Sequence, residues 1–332
     1  MLSASDFIRL PYTPDLTKGG IAYACRSLHY TYNRMGGSTI SRLRRIVGGV
    51  AVELAFRRTL GELGVPFDVL GATPFTDPDR YDVALGGRRC DIKSFLITRR
   101  EQIRALRQDP TLLLQAPALV PFDQVNAEGH SDEDLYIFAF TTALVTSSRT
   151  DLEKALAAGQ PIHLIHAMPK GWARPRLWRS LGRLALKSED GPPLELELGG
   201  QNAAREFISC RVSLPPRQRV EIEVEFYALA YLHPSALPHG RVGIHSPTRE
   251  ETYIIPPYRW GNIWVYGMDI LLTGYITRAE FRRRARKIPA GSRVYQYNRT
   301  RTKNLAVPVE ELRPLGELLA RVKAWEAGRH PG

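Results

Sequence analysis

Apolar side chains at Ile40, Leu43, Ile46, Val47, Val50 and Leu54 recur every three or four residues, the spacing of one helix face. That stripe predicts a helix from Ser38 or Thr39 to Leu63, capped by Gly64 and unable to continue through Pro66. Val65 to Leu70 reads as a first strand, after which the period shortens to two. Tyr81, Val83 and Leu85 alternate with Asp82 and Ala84, Gly86-Gly87 supplies a two-residue hairpin turn, and Arg88 to Ser94 returns. The pattern then predicts a short basic helix over Arg99 to Gln108 and a long loop over 109–133, with three prolines and no clear period. Leu135 to Thr146 is almost continuously apolar, as a strand buried on both faces would be. Thr150 and Glu153 form a capping box for a helix ending at Gly159, and Pro161 to Met168 is a second buried strand. Strand, helix, strand in that order predicts a right-handed crossover and an α/β fold, a mixed central sheet with helices on both faces.

The pattern changes at Lys170. KGWARPRLWRSLGRLALKS carries six cations and no acid, with Trp172 and Trp178 among them. Such a stretch either stacks on nucleic-acid bases or is a surface helix with buried tryptophans. Gly191 to Pro193 reads as a linker, and Leu194 to Tyr231 as alternating strands in which Glu221, Glu223 and Glu225 share a face. Residues 256–310 read as a small β-rich module with one helix, opened by the capping box Thr277 and Glu280. A last amphipathic helix lies between Pro314 and Gly328. In chain order this divides the protein into an N-terminal arm (1–38), an α/β core (39–170), a β-rich region (171–255) and a basic β module with a C-terminal helix (256–332).

The hairpin carries the chemistry. With the turn at Gly86-Gly87, Leu85 faces Arg88, so Asp82 falls opposite Asp91, and Lys93 projects from the same sheet face as Asp91. Directly opposed carboxylates repel, and a hard divalent ion held by one or two carboxylates plus water and phosphate would relieve that repulsion. Glu53 sits in line with Ile46 and Val50 at the edge of the helical stripe, so its carboxylate is aimed toward the sheet; pairing with Arg57 one turn later is the alternative. His163 and His166, three apart on a strand, point to opposite faces and cannot hold one ion together.

Asp82, eight intervening residues, then Asp91-Ile92-Lys93 resembles the core signature of the PD-(D/E)xK phosphodiesterase superfamily. The likeness covers residues 39–170 and implies a restriction-endonuclease-like core. Glu53 fits the acidic position that related nucleases carry on the preceding helix. The resemblance implies Mg²⁺, with Mn²⁺ able to substitute, held by Asp82, Asp91 and either the Ile92 carbonyl or Glu53. It gives Glu53, Asp82, Asp91 and Lys93 as catalytic residues, with Lys93 orienting the attacking water. The literal Pro-Asp pair is Pro78-Asp79, but the register favours Asp82. No glutamine is followed four residues later by tyrosine, unlike the RecB-type branch of the superfamily.

Composition narrows the partner. The net charge of +12 over 332 residues favours a polyanion. Ten cations stand against one acid between Arg278 and Lys303. Arg57, Arg282, Arg283, Arg284, Arg286, Lys287, Arg299, Arg301 and Lys303 are the expected nucleic-acid contacts, with Arg282 to Lys287 read as one exposed helical cluster around an apolar stripe of Phe281, Ala285 and Ile288. The expected function is metal-dependent cleavage of duplex DNA, of restriction or defence type, by a protein that could act as a homodimer. A nuclease fold that binds without cutting and an RNA-binding protein are the alternatives. Three scattered cysteines match neither a disulfide framework nor a metal cluster. No run of 18 apolar residues and no signal-peptide layout is present, so a cytoplasmic, membrane-free protein is expected.

Overall fold

A computed structural model describes residues 2–31, 38–70, 82–125, 127 and 129–329. Contacts divide the chain into two units that are interleaved along it, where a reading in chain order gives consecutive blocks. The first gathers Met1–Gly20, Arg45–Leu144 and Val265–Gly332; the second gathers Ile21–Arg44 and Val145–Trp264. Among the described residues no helix is long and apolar enough to cross a membrane.

The first unit is built on a five-stranded mixed sheet. Its strands are β1 (Ile8–Leu10), β2 (Val83–Leu85), β3 (Arg88–Ile97), β5 (Leu135–Leu144) and the strand Tyr266–Thr277, while β4 (Pro117–Pro121) belongs to a smaller sheet. The order is β1, Tyr266–Thr277, β5, β3, β2, and only the β3–β5 pair is parallel. The apolar run of β5 is buried from Leu135 to Ala143, as a strand flanked on both edges and covered on both faces must be. Helix α1 spans Pro14–Thr31 and α2 spans Thr39–Glu62. The latter ends as its sequence predicts: Gly64 adopts φ 63°, with Gly64 N–H donating to Gly61 and Val65 N–H to Leu60. It lies over β3, close enough that side chains at Gly48 and Gly49 would touch Leu96 and Ser94. The other face of the sheet, carrying Phe95, Tyr136, Phe138 and Phe140, is covered by Ile103 and Leu106 of α3 (Arg100–Gln108) and by Phe281 of the helix Arg278–Arg284. Helices thus flank both faces of a mixed sheet, as expected of an α/β fold.

Both sheets of the second unit are antiparallel, with one isolated parallel bridge, Ser188 to Pro216. A five-stranded sheet (Gly261–Asn262, Leu164–Ala167, Ala228–Pro234, Leu194–Gln201, Phe207–Leu214) and a four-stranded one (Arg219–Glu221, Ala185–Ser188, Val242–His245, Tyr253–Ile255) share one apolar core.

Several local expectations change. Val65 to Leu70 forms a single bridge, Asp68 to Ala84, instead of a strand. The stretch 109–133 contains β4 and the one-turn helix α4 (Phe122–Val125), and β4 pairs with Asn304–Pro308, a partner too distant in sequence for local pattern to reveal. The crossover does not form, because both edges of β5 are already taken by β3 and Tyr266–Thr277, and Leu164–Ala167 joins the sheet of the second unit. The helix after β5 starts at Arg149, since Ser148 rather than Thr150 caps it by accepting from Asp151 N–H at 3.1 Å. Gly191 to Pro193 joins two strands of the second unit. The strand through the acids breaks after Glu221 and resumes at Ala228, though Glu221, Glu223 and Glu225 all stay exposed. Tyr266–Thr277 is no part of a separate module, since it pairs with β5 from Tyr266 to Thr277.

Candidate active site

Gly86 and Gly87 take φ 55° and 75°, the two left-handed conformations a type I′ turn requires. The turn fixes the expected register: Leu85 pairs with Arg88 and Val83 with Cys90, which puts Asp82 opposite Asp91. Tyr81, Pro78 and Asp79 lie outside the described residues. Asp82 is held at the end of β2 by three contacts. Its N–H donates to the Cys90 carbonyl at 3.0 Å, its Oδ2 accepts from Ile92 N–H at 2.6 Å, and its carbonyl accepts from Arg57 Nη2 at 2.5 Å. In an extended strand one residue's N–H and C=O face the same edge. The Ile92 carbonyl therefore shares the edge of β3 that carries the Asp82 carboxylate.

Alternation along β3 turns Asp91 and Lys93 to the face shared with Phe95, opposite Ser94 and α2. Lys93 Nζ lies 2.6 Å from Asp91 Oδ2 and donates to Gln124 Oε1 at 2.8 Å. It also stands 5.9 Å from the Tyr136 ring centre. The Lys93 side chain is only 15% exposed, so these partners fix its ammonium in place.

Glu53 is half-buried on the α2 row Gly49, Glu53, Arg57, between Gly49, which meets Ser94 of β3, and Arg57, which donates to the Asp82 carbonyl at the end of β2; Ser94 is on the sheet face away from Asp91 and Lys93. Among the described residues no three His, Cys, Asp or Glu side chains gather into a group that could hold a metal ion. What the hairpin offers is two carboxylates and the Ile92 carbonyl, hard oxygen donors of the kind Mg²⁺ takes when water and phosphate complete its shell.

Behind this edge lies a buried polar network that sequence pattern did not single out. Arg278, 2% exposed, donates through Nη2 to the carbonyls of Gln124 (2.8 Å) and Val125 (3.3 Å). Its guanidinium carbon sits 4.8 Å from the Tyr136 ring centre, and its N–H donates to the Asp134 carbonyl. Burial pushes the Tyr136 phenol up from its ordinary value, against the opposing pull of Arg278. Burial, then Arg278, push His130 down, while its Nδ1 lies 3.7 Å from Asp134 Oδ2. The thiol of Cys90, buried beside Asp82, Asp134 and Asp91, is pushed up chiefly by burial. Gln124 sits in an irregular stretch with no periodicity to flag it. Arg278 was hidden among ten cations, although its place directly after the capping Thr277 is a helix start.

The expected nucleic-acid contacts divide. Arg57 is spent on Asp82, Arg282 on Asp132, and Arg284 on the Glu311 carbonyl at 3.2 Å. Lys303 lies 3.7 Å from the Phe122 ring centre. Arg283, Arg286, Lys287, Arg299 and Arg301 are exposed, with no side-chain hydrogen bond or ion pair among the described residues. The Arg282–Lys287 cluster is not one helix: Ala285 turns extended, and Arg286–Ile288 pairs as a strand with Asn304–Ala306. Trp172 is buried under Arg249 at 4.4 Å, and the half-buried Trp178 carries Arg205 at 4.2 Å. His163 and His166 are core histidines of the second unit, the first stacked on His233 and the second bonded to Tyr253. No protein-family model, curated protein or solved structure matches this chain.

Proposed function

We propose that the chain is a metal-dependent endonuclease that hydrolyses phosphodiester bonds in DNA. The observation that carries this reading is the hairpin edge: Asp82 Oδ2 on Ile92 N–H at 2.6 Å, with Asp91 one position away holding Lys93. Asp82, Asp91 and the Ile92 carbonyl would hold Mg²⁺ or Mn²⁺, which when bound polarises the scissile phosphate and lowers the pKa of a water. The protein's own groups do the rest. Asp82 orients the Ile92 peptide. Lys93, shared between Asp91 and Gln124, carries a positive charge to the non-bridging oxygens, whose negative charge grows in the transition state.

The test is plasmid and short-duplex cleavage with Mg²⁺ or Mn²⁺. Asp91→Asn should abolish cleavage while leaving DNA affinity within a few-fold, because the substitution removes a metal ligand but no phosphate contact. Cleavage near the parent rate would overturn the assignment of Asp91. One observation favours a second reading, a nuclease fold that binds without cutting: Lys93 is closed on Asp91 at 2.6 Å, neutralising a carboxylate a metal would need. Binding without cleavage by the parent protein under both metals would decide for it.

A further inference from the structure

The exposed face of α3 carries a charge that the candidate active site does not use. Arg100, Arg104 and Arg107 stand at i, i+4 and i+7, within an arc of about 60°, while Ile103 and Leu106 turn to the core at 4% and 3% exposure. None of the three guanidiniums makes a hydrogen bond or ion pair with any described residue, and Glu101 pairs with none of them. Like charges one turn apart destabilise a helix, so the row is sustained by the packing beneath it and gains from an anion above it. The row rims a groove of about 380 Å³ lined by Arg100, Ile103, Arg104, Arg107, Gln108 and Leu144, the last 42% exposed. Arg107 also borders a neighbouring groove of about 440 Å³, where Arg9 is already neutralised by Asp269 at 2.6 Å.

The helix is held rigidly from behind. Arg99 Nη2 and Gln102 Nε2 both donate to the Tyr295 carbonyl, at 2.9 and 2.7 Å, and Arg99 Nη1 reaches Asn298 Oδ1 at 2.7 Å. These bonds tie α3 to the loop that carries the exposed Arg299 and Arg301. From Arg100 to Arg107 the helix rises about 10 Å, the rise of roughly three base pairs along the axis of a duplex. Arginine is the side chain best matched to phosphate, through its planar fork of donors.

We infer that the Arg100–Arg104–Arg107 row is a seat for the phosphodiester backbone of duplex DNA, one strand lying along α3. The seat rests on the reading of this chain as a DNA-acting enzyme and adds a contact surface to it. The test measures binding of a 25-base-pair duplex by the full-length Asp91→Asn protein, with and without Arg100, Arg104 and Arg107 replaced by Ala, from 50 to 200 mM salt. A triple Gln variant, which keeps much of the side-chain length, runs in parallel as a second folded form. Each phosphate contact contributes about 0.9 to the slope of log K against log salt. Losing three should flatten the slope by about 2–3 and shrink the affinity lost across that salt range by about 40-fold; a triple Lys variant should restore most of it. An unchanged slope in a variant that still binds and folds would overturn the seat alone. Failure of the Asp91→Asn parent to bind duplex DNA would overturn the nuclease reading and the seat together.

Discussion

Replacing Arg278 with Met tests the polar network behind the hairpin. The guanidinium is 2% exposed and donates to two carbonyls at the end of α4, Gln124 at 2.8 Å and Val125 at 3.3 Å, beside the Tyr136 ring. Met fills most of the volume and avoids the cost of burying a charge, which favours the variant. Against that, the Val125 carbonyl loses its side-chain donor at a site where Val125 is 2% exposed, and the Gln124 carbonyl keeps only the long bond from Ala127 N–H at 3.4 Å. An unsatisfied buried group costs about 1–3 kcal/mol, and the lost cation–ring contact adds about 1 kcal/mol. The lost donor and ring contact outweigh the relief of burying no charge, and the net loss should be about 3 kcal/mol. For a unit of this size that lowers Tm by roughly 6–12 °C, readable by calorimetry or by urea unfolding followed by near-ultraviolet circular dichroism. The same change should reduce cleavage, because α4 carries the Gln124 side chain that holds Lys93. Gln124→Ala separates the two effects. It removes the bond to Lys93 but leaves both carbonyls on Arg278, so cleavage should fall while Tm moves by less than about 3 °C. A melting point for Arg278→Met within about 2 °C of the parent would refute the claim that this arginine props α4.

Stability should also fall on acidification of the second unit. Burial pushes His163 down to about 3 and His166 to about 4, from 6.5 unfolded. A depressed folded value means the unfolded chain takes up protons first, so this contribution is whole above pH 6.5 and lost as pH falls through the folded values. From pH 7 to pH 5 the two sites should together cost about 4 kcal/mol, and a flat urea midpoint over that range would contradict the buried, neutral pair. In the hairpin, Gly87 has φ 75° and open space around an added Cβ, so Gly87→Ala tests conformation alone. It should lower stability by about 1–2 kcal/mol; a gain, as at a Gly site already compatible with Ala, would show the turn to be of another type.

What could be read from the sequence is what is local. The α2 stripe, its Gly64 cap, the Gly86-Gly87 turn and the apolar β5 run each depend on residues within a few positions, and the structure forms them where pattern puts them. What could not be read is pairing at long range. β5 resembles the first strand of a crossover by composition, yet Tyr266–Thr277, more than a hundred residues later, takes the edge that the next strand would need. The partner of β4 is equally remote, and so a strand was hidden inside an apparent loop. At the site, register alone brings Asp82 opposite Asp91, whereas the position of Glu53 depends on how α2 settles on the sheet. The side chains at Ser94 and Leu96 set that seat, and periodicity along α2 cannot report it.

Charge is the clearest case of a quantity that the sequence counts but cannot assign. A guanidinium bonded to a carbonyl or carboxylate has already exchanged water for protein, and binding DNA through it would mean breaking that bond. Arg278, Arg57, Arg282 and Arg284 are in this state, held by Gln124, Asp82, Asp132 and Glu311. Only cations still in solvent release counterions when a phosphate arrives, and only these set the salt slope. By that criterion the α3 row and Arg283, Arg286, Lys287, Arg293, Arg299 and Arg301, with Lys18 and Lys323, carry the electrostatics of the first unit. The distinction has a measurable form. Arg278→Met should cost stability and leave the salt slope of DNA binding unchanged, whereas replacing the α3 row should flatten the slope and leave stability nearly untouched. The two sets of arginines would then be told apart by two independent measurements, one reporting the fold's own ligands and the other the surface left for a partner.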